Sequence, residues 1–511
     1  METKHTLPAE IEGYGIVTPY RQVFDPERVK PCIPRPGKMS RPGQPKLQKD
    51  LRSLMESLEL KDGMTFSFHH HLRNGDYVLN LVMEEVRRLG LKNIRVAASS
   101  LFPTHAPLVQ LMEDGTVTDI HTDYMSGPVA QAVSRGQLKH PAVMTTHGGR
   151  PRAIAEGDVH IDVAFIAAPA ADPSGNLNGV TGPSACGTLG YAIADAEYAD
   201  VVVAVTDHLE PYPLCPAEIR QNLVDYVVVV DSIGNPKGIV SGTTQITKDP
   251  VGLKIASDTL KVLAASGLLK EGLSFQTGAG GISLAVAKEL EIYMKEHGIT
   301  GSFASGGITG YIVRMMEAGL FKALWDVQCF DLDAVRSFRE NPNHMAMSGD
   351  LYGNPHNKGA VVNDLDIVIL GATEMDPEFN VNVTTGSTGI IMGGSGGHAD
   401  TAAGSKLTVI VSKLVSARIP LIKERVTTIT TPGETVDVLV TDRGIAVNSK
   451  RPELAEALRQ AGVAVHSIEE LQALAERLTG KPQPIQTGER IVAVVEYRDG
   501  SVLDVVRQVL E

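Results

Sequence analysis

Short strand-like runs and longer stretches with apolar residues at helical spacing alternate along this chain from residue 51 onward. Residues 64–68, 93–98, 161–167, 201–205 and 226–230 are compact runs rich in Val, Ile, Phe and Ala. Between and after them, 76–89 and 107–113 place apolar residues three and four apart, the period of a helix lying on a core. Apolar runs of this length, separated by helices, predict strands of a parallel sheet buried on both faces. The plan then repeats. Residues 283–297 read as a helix, 366–370, 407–411 and 435–440 as strands, and 451–461 as an amphipathic helix with Pro452 in its first turn. The fold class is α/β, with two similar open sheets that are mainly parallel.

The repetition is also literal. The run Ile161-Asp162-Val163-Ala164-Phe165-Ile166 through Asp172-Pro173 to Asn176-Leu177-Asn178 returns 204 residues later as Leu365-Asp366-Ile367-Val368-Ile369-Leu370 through Asp376-Pro377 to Asn380-Val381-Asn382. Leu60-Lys61-Asp62-Gly63-Met64-Thr65-Phe66 is answered by Leu269-Lys270-Glu271-Gly272-Leu273-Ser274-Phe275, and 109–115 by 313–319. Collinear matches this far apart mean a duplicated domain rather than a solenoid. The expected organisation is a Pro-rich, basic N-terminal arm over 1–45, a first α/β domain over 46–245 and a second over 246–511.

Composition narrows the partners. Forty-seven basic against sixty acidic residues leave a net charge of −13, which argues against a nucleic-acid footprint. Four cysteines without CxxC spacing support neither a disulfide framework nor a zinc ribbon. The start has no apolar leader, and the longest apolar runs are far too short to span a bilayer. A cytoplasmic protein away from membranes is the expectation.

Ligands of open α/β sheets bind beyond the carboxyl ends of the strands, so the segments after strand 366–370 are the first candidates. Gly393-Gly394-Ser395-Gly396-Gly397-His398 holds four glycines in five residues, so backbone N–H groups can converge on a phosphate or an oxyanion without Cβ obstruction. A tight turn is the competing reading; P-loop spacing is absent. Thr277-Gly278-Ala279-Gly280-Gly281 is a second, weaker anion candidate ahead of a helix. Glu374 stands just beyond a buried strand where the first copy has Ala170, as either a chemical group or a turn cap. The recurring Asn176/Asn178 and Asn380/Asn382 favour turn-making. His147-Gly148-Gly149-Arg150-Pro151-Arg152 could hold a polycarboxylate through bidentate contacts, or be a solvated loop. His69-His70-His71 is rejected as a metal site because three consecutive residues cannot converge on one centre. Cys186 reads as a small core residue.

These stretches together carry a resemblance. The paired 161–178 and 365–382 segments, with Phe66-Ser67-Phe68-His69-His70, His147-Gly148-Gly149-Arg150, Phe275 through Gly281, Phe379 through Val383 and the 393–398 loop, resemble the CoA-transferase superfamily and, within it, the citrate lyase alpha subunits. The resemblance runs from about residue 45 to the C-terminus. It implies tandem CoA-transferase domains and a transferase that exchanges acetyl for citryl on an acyl-carrier thioester, releasing acetate. It implies as partners a beta subunit that cleaves citryl-carrier protein and a gamma subunit that is the acyl carrier protein, with citrate and acetyl-CoA as small ligands, in an oligomer. No tightly bound cofactor or metal is expected; acyl-CoA or the carrier's CoA-like arm is co-substrate. On this reading Glu374, Gly394, Gly396 and Gly397 are the catalytic candidates. Arg150, Arg152, His147, Gly393 and Ser395 would bind the acid, and Gly278, Gly280, Gly281 and Asn380 the thioester arm.

One departure bears on mechanism. Relatives that form a glutamyl thioester carry the nucleophile where this chain reads Ser305-Gly306-Gly307-Ile308-Thr309-Gly310. Without a carboxylate there, citrate would attack the thioester directly through an acyl anhydride, although Glu374 keeps a covalent role open. Sister transferases for citramalate or malonate, a general CoA-transferase, and a non-catalytic scaffold of the lyase complex are the alternatives.

Overall fold

The computed structural model describes residues 7–21, 29–32, 38, 42–240, 244–278 and 280–510; residues 34–37 and 41 of the arm, and Ala279, lie outside them. In chain order the first half supplies β1 Thr65–Phe68, β2 Ile94–Ala98, β3 Val117–Thr122, β4 Ala142–Met144, β5 Val163–Ala168, β6 Val201–Thr206 and β7 Tyr226–Val229. They lie side by side as β7-β6-β5-β1-β2-β3-β4, all parallel. The second half supplies β8 Ser274–Thr277, β9 Gly301–Ile308, β10 Phe321–Cys329, β11 His344–Ala346, β12 Ile367–Leu370, β13 Leu407–Val411 and β14 Val438–Thr441. Their order is β14-β13-β12-β8-β9-β10-β11, again parallel. Each strand of the first half therefore has its counterpart seven strands on, and the duplication read from 161–178 and 365–382 is one of topology.

The two sheets are extended differently. β15 Gly444–Val447 pairs antiparallel with β14, and β16 Val465–His466 continues that sheet. β17 Thr487–Glu496 instead pairs parallel with β4 of the first sheet, and β18 Val502–Val509 pairs antiparallel with β17. Residues 487–509 group by sequence with the second domain; in space they belong to the first. Part of the arm rests on this hairpin, with Ile11 and Val17 packed against Val494, Val502 and Val505 and the Tyr14 hydroxyl donating to Glu496 at 2.7 Å.

The central strands are buried from end to end, β5, β8, β12 and β13 without an exposed position, which is why their sequences run apolar rather than alternating. Phe66 of β1 meets Phe165 of β5 edge-on at 5.5 Å, and its counterpart Phe275 of β8 meets Phe321 at 6.5 Å. The helices flank these sheets: α1 Val78–Leu89, α2 Leu108–Glu113, α3 Gly149–Ala155, α4 Pro250–Ala265, α5 Gly281–His297, α6 His398–Gly404 and α7 Pro452–Gln460. α1 stops at Gly90, whose left-handed φ of +74° closes the last turn, with Arg87 and Arg88 at the negative end of the dipole. No helix among the described residues is long and apolar enough to cross a membrane.

In each sheet the strand order reverses beside the first strand, between β1 and β5 and again between β8 and β12. Crevices open at such points beyond the carboxyl ends. Here the two carboxyl edges meet: Gln328 in β10 donates to the His70 carbonyl just past β1 at 2.6 Å.

Candidate active site

β3 and β4 run out side by side into Asp123 and His147. The Asp123 carboxylate is fully buried, and its Oδ2 accepts from His147 Nδ1 at 2.8 Å. Burial holds this carboxyl above the ordinary Asp range against the pull of the imidazole. With Nδ1 engaged, the other ring nitrogen, Nε2, is the one left for a ligand. The glycine-rich loop of the second half is laid across these strand ends. Gly396 donates to the Asp123 carbonyl at 3.2 Å, His147 N–H donates to the Gly396 carbonyl at 2.8 Å, and Met125 N–H reaches the Gly393 carbonyl at 3.3 Å.

Approach this close explains the glycines. A Cβ on Gly394 would lie 2.3 Å from the Asp123 carbonyl oxygen, one on Gly397 2.1 Å from the Tyr352 hydroxyl, and one on Gly393 2.3 Å from the Val383 carbonyl oxygen. Gly396 sits at φ +51° with His147 Nε2 at 3.2 Å from its Cβ position. Two of the loop's amides are consumed by this docking, Gly396 on Asp123 and Gly393 on the Thr384 carbonyl at 3.2 Å. The amides of Gly394, Ser395 and Gly397 have no partner among the described residues. His398 pins the far end, with Nε2 on the Gly371 carbonyl at 2.9 Å and Nδ1 on the Thr431 hydroxyl at 2.7 Å. Burial pushes its pKa down to about 4, so the pin is a neutral ring.

Around the Asp123–His147 pair stands an aromatic wall. His70 lies 4.9 Å from Tyr191, and His147 lies 4.6 Å from Tyr191 and 6.5 Å from Tyr352. His70 Nδ1 is bonded to the Ser99 hydroxyl at 2.7 Å. Burial drives His69, His70 and His71 well below the ordinary histidine range, so all three are neutral rings; His70 lines the site, while His69 and His71 pack against each other, with His69 Nε2 accepting from the Ala167 amide at 3.0 Å. The second half answers with amides and hydroxyls: Gln276 Nε2 donates to Tyr352 at 2.8 Å, and Ser305 donates to Gln276 Oε1 at 3.0 Å. Beside them the β9 edge bulges at Gly306 and Gly307.

Comparison with known proteins places this arrangement. The family model for the citrate lyase alpha subunit matches residues 44–509. The citrate lyase alpha chain of Escherichia coli strain K12 is 50% identical over 466 residues, 91% of each chain. The chain belongs to the citrate lyase alpha subunit family. The Klebsiella pneumoniae citrate lyase alpha chain is 49% identical, covering 90% of this chain and 92% of that one. A crystal structure from Streptococcus mutans, described as the alpha subunit of citrate lyase in complex with citrate, superposes with a TM-score of 0.95 at 46% identity over 99% of both chains. The fold alone is shared with a Pseudomonas malonate decarboxylase hetero-tetramer in complex with malonate, at a TM-score of 0.65 and 16% identity over 87% of this chain and 96% of that one. As a citrate lyase alpha family member the chain is an enzyme of the transferase kind, one subunit of a multi-subunit lyase.

Within this family member the site residues expected from sequence separate into groups. His147, Gly393, Gly394, Ser395, Gly396 and Gly397 come together as described. Arg150 and Arg152 do not join them. Arg150 is buried with its fork on Asp195 at 2.6 and 2.8 Å and on the Ala97 carbonyl at 3.2 Å. Arg152 is spent on Glu156 at 2.9 Å and Asp158 at 2.7 Å. Asp158 lines a cavity with Gly63, Thr65 and Asp162 at the amino ends of the strands, on the opposite edge. α3 turns both guanidiniums inward because every one of its residues is buried.

Glu374 is 1% exposed and pairs across a two-residue ladder with Asn382, as Ala170 does with Asn178. Its oxygens accept from Asn382 Nδ2 at 2.9 Å, from the Thr427 amide at 2.8 Å and from the Thr427 hydroxyl at 3.1 Å, and they pair with Lys423. That is a fully satisfied buried carboxylate, not one presented to the cleft. Asn380 is likewise committed, to Asp376 and to the Gly433 amide at 3.0 Å. Gly278 continues β8 and donates to the Ile369 carbonyl at 3.0 Å, while Gly280 and Gly281 open α5. Cys186 is buried, as expected. Asp326, Cys329 and His344 gather in the core, where Asp326 Oδ2 accepts from Cys329 Sγ and His344 Nε2 at 3.0 Å each.

Asp123, Tyr191 and Tyr352 are not singled out by any sequence motif, and His70 stands out only as part of the triple histidine and of the resemblance. The signal that could have found two of them is position: Asp123 and His70 each stand just past the carboxyl end of a strand. Three histidines in a row suggest a metal site first, and the neutral ring that His70 contributes leaves no mark in the sequence.

Proposed function

We propose that this cleft exchanges the acetyl group of an acyl-carrier thioester for citryl, with citrate and acetyl-carrier protein giving citryl-carrier protein and acetate. A citrate carboxylate oxygen attacks the thioester carbonyl carbon. The C–S bond breaks, the thiolate departs and a mixed acetyl–citryl anhydride remains. The thiolate then attacks the citryl carbonyl carbon, its C–O bond to acetate breaks, and acetate leaves. No proton is gained or lost overall, so the protein's work is to align the partners and stabilise oxyanions. His147, ion-paired through Nδ1–H with the Asp123 carboxylate as an imidazolium, offers Nε2–H to the forming oxyanion, and the unpaired amides of Gly394, Ser395 and Gly397 are further donors. Acyl-CoA or the carrier's CoA-like arm is the co-substrate, the beta and gamma subunits of the lyase are the partners, and Gly278, Gly280 and Gly281 at the mouth of β8 are offered as contacts for that arm.

The observation that carries this reading is the edge of β9. Gly306, at φ +105°, has Gln276 atoms 2.7 Å from its Cβ position, and Gly307 has the Phe330 ring at 2.1 Å. Neither position has room for a side chain, so the glutamyl nucleophile of other CoA-transferases has no place there. Asp123, whose carbonyl anchors the glycine loop, and Asp400 of α6 are fully buried, with their carboxylates paired with His147 and Arg498. Citrate in the relative from Streptococcus mutans agrees with the substrate. The test is an exchange assay on the purified chain with acetyl-CoA and citrate, citramalate, malonate or succinate, with borohydride to trap a bound thioester. Acetate release with citrate and no trapped adduct is expected; a trapped glutamyl adduct, or a preference for another acid, overturns it.

A further inference from the structure

The turn after β1 at the first sheet's switch point holds a cation without a counter-charge. β1 runs out through His69-His70-His71-Leu72 to Arg73, whose φ is +53°, in the left-handed region that an unbranched polar side chain occupies only against a steric penalty. The guanidinium lies 4.4 Å from the Phe330 ring centroid and 5.7 Å from that of Phe102. Its Nη1 is buried and makes no hydrogen bond, and among the described residues no carboxylate pairs with it. Arg150, Arg152 and Arg498 each meet one. Arg73 thus combines backbone strain, desolvation and an unused donor, three costs that the ring faces offset only in part.

Such a combination persists where the surroundings over-determine it and function uses it. The surroundings here are the site itself. Phe102 packs on His70 at 5.8 Å and on Tyr124 at 5.4 Å, and Phe330 comes directly after β10 of the second half, so Arg73 is held between one ring from each half. A guanidinium fixed on aromatic faces keeps its fork geometry, and that fork matches a carboxylate through two parallel hydrogen bonds. The cations that sequence offered for citrate are spent in ion pairs; this one is unspent. We infer that Arg73 grips a carboxylate of the polycarboxylate substrate that does not react, and so sets the preference for di- and tricarboxylic acids over acetate.

This rests on the transferase reading above, and the two are separable by calorimetric titration of the full chain with citrate, tricarballylate, malonate and acetyl-CoA. Arg73→Asn keeps a residue that tolerates the left-handed backbone and removes the fork; Arg73→Lys keeps the charge alone. Arg73→Asn is expected to weaken citrate roughly 30- to 100-fold while acetyl-CoA affinity and Tm hold, with Arg73→Lys in between. Citrate bound as tightly by Arg73→Asn as by the parent overturns the inference and leaves the transferase intact. Equal loss of acetyl-CoA also overturns it, since a structural role would do that. A parent that ignores citrate but binds malonate through Arg73 keeps the inference and discards the citrate reading. A parent that binds none of the acids discards both.

Discussion

The two carboxyl edges come from the same duplicated strands, yet they are furnished differently. Past β1, β3 and β4 stand His70 and Arg73, Asp123, and His147. Past β8, the counterpart of β1, stands Gly278, and within the end of β9, the counterpart of β2, sits the Gly306-Gly307 bulge, with Gln276 and Ser305 just inside. The turns after β5 and β12 tell the opposite story. Asp172 Oδ1 accepts from the amides of Ser174 at 2.9 Å and Asn176 at 3.1 Å, and Asp376 Oδ1 accepts from Glu378 at 3.1 Å and Asn380 at 3.0 Å. One carboxylate closes the same turn in both halves because the backbone there needs the same acceptor. Strand ends carry no such obligation, so the copies are furnished differently, with ionisable groups past β1, β3 and β4 and glycines at the ends of β8 and β9. Duplication kept what the backbone requires and diverged where it requires nothing.

The comparison can be broken most sharply by swapping which edge is damaged. His147→Ala should lower kcat for thioester exchange about 10²- to 10³-fold, the usual cost of one oxyanion donor, while Gln276→Ala on the other edge costs under about 10-fold, one neutral hydrogen bond. Steady-state exchange of both variants checks this, and equal losses would erase the distinction between the edges. Next in size is Glu374, gained or lost between the copies. Glu374→Ala leaves Lys423 without its buried partner and should cost about 3 kcal/mol of stability with kcat nearly unchanged in the folded fraction. Urea unfolding beside an activity assay separates the two, and a collapse of kcat at constant stability would return Glu374 to the chemistry.

The smallest effect is on pH. Burial raises the Asp76 carboxyl, three residues past Arg73 in the first-half turn, from 3.8 to about 7. Its folded form prefers the proton, so its favourable contribution is complete below about pH 4 and is lost as pH rises through 7. Asp76→Asn should therefore melt above the parent at pH 8, and the difference should vanish near pH 4. Melting curves from pH 4 to 8 measure this directly; a difference independent of pH would remove Asp76 as its source.

Strands and helices are readable because burial on both faces writes itself as uninterrupted apolar runs: β13 falls on the expected 407–411, and α1 and α5 begin within two residues of expectation. The duplication is readable for the same reason. What does not show is the direction of polar side chains. Arg150 and Arg152 look like ligand-binding groups beside a glycine pair, and only three-dimensional packing reveals Asp195 and Glu156 waiting for them. Glu374 resembles a nucleophile until Lys423 and Thr427, about fifty residues on in sequence, are brought against it. The glycine loop is recognisable, but the reason for its glycines, the carbonyl of Asp123 and the hydroxyl of Tyr352 lying where Cβ atoms would be, comes from the other half and from the short helix Gly349–Gly353.

The return of β17 and β18 to the first sheet has a consequence for how the molecule is made. β4 leaves the ribosome long before the strand that covers it, so a nascent chain carries a folded second sheet beside a first sheet with one bare edge, a template for unwanted strand addition. The closing hairpin also carries Arg498, which donates to the Gly353 carbonyl at 2.5 Å and lies 3.5 Å from Asp400. Asp400 in turn accepts from the Gly148 amide at 2.9 Å and the Thr146 hydroxyl at 2.8 Å, on either side of His147. A polypeptide without β17 and β18 would hold nearly every residue of the cleft and still lack the brace beneath it.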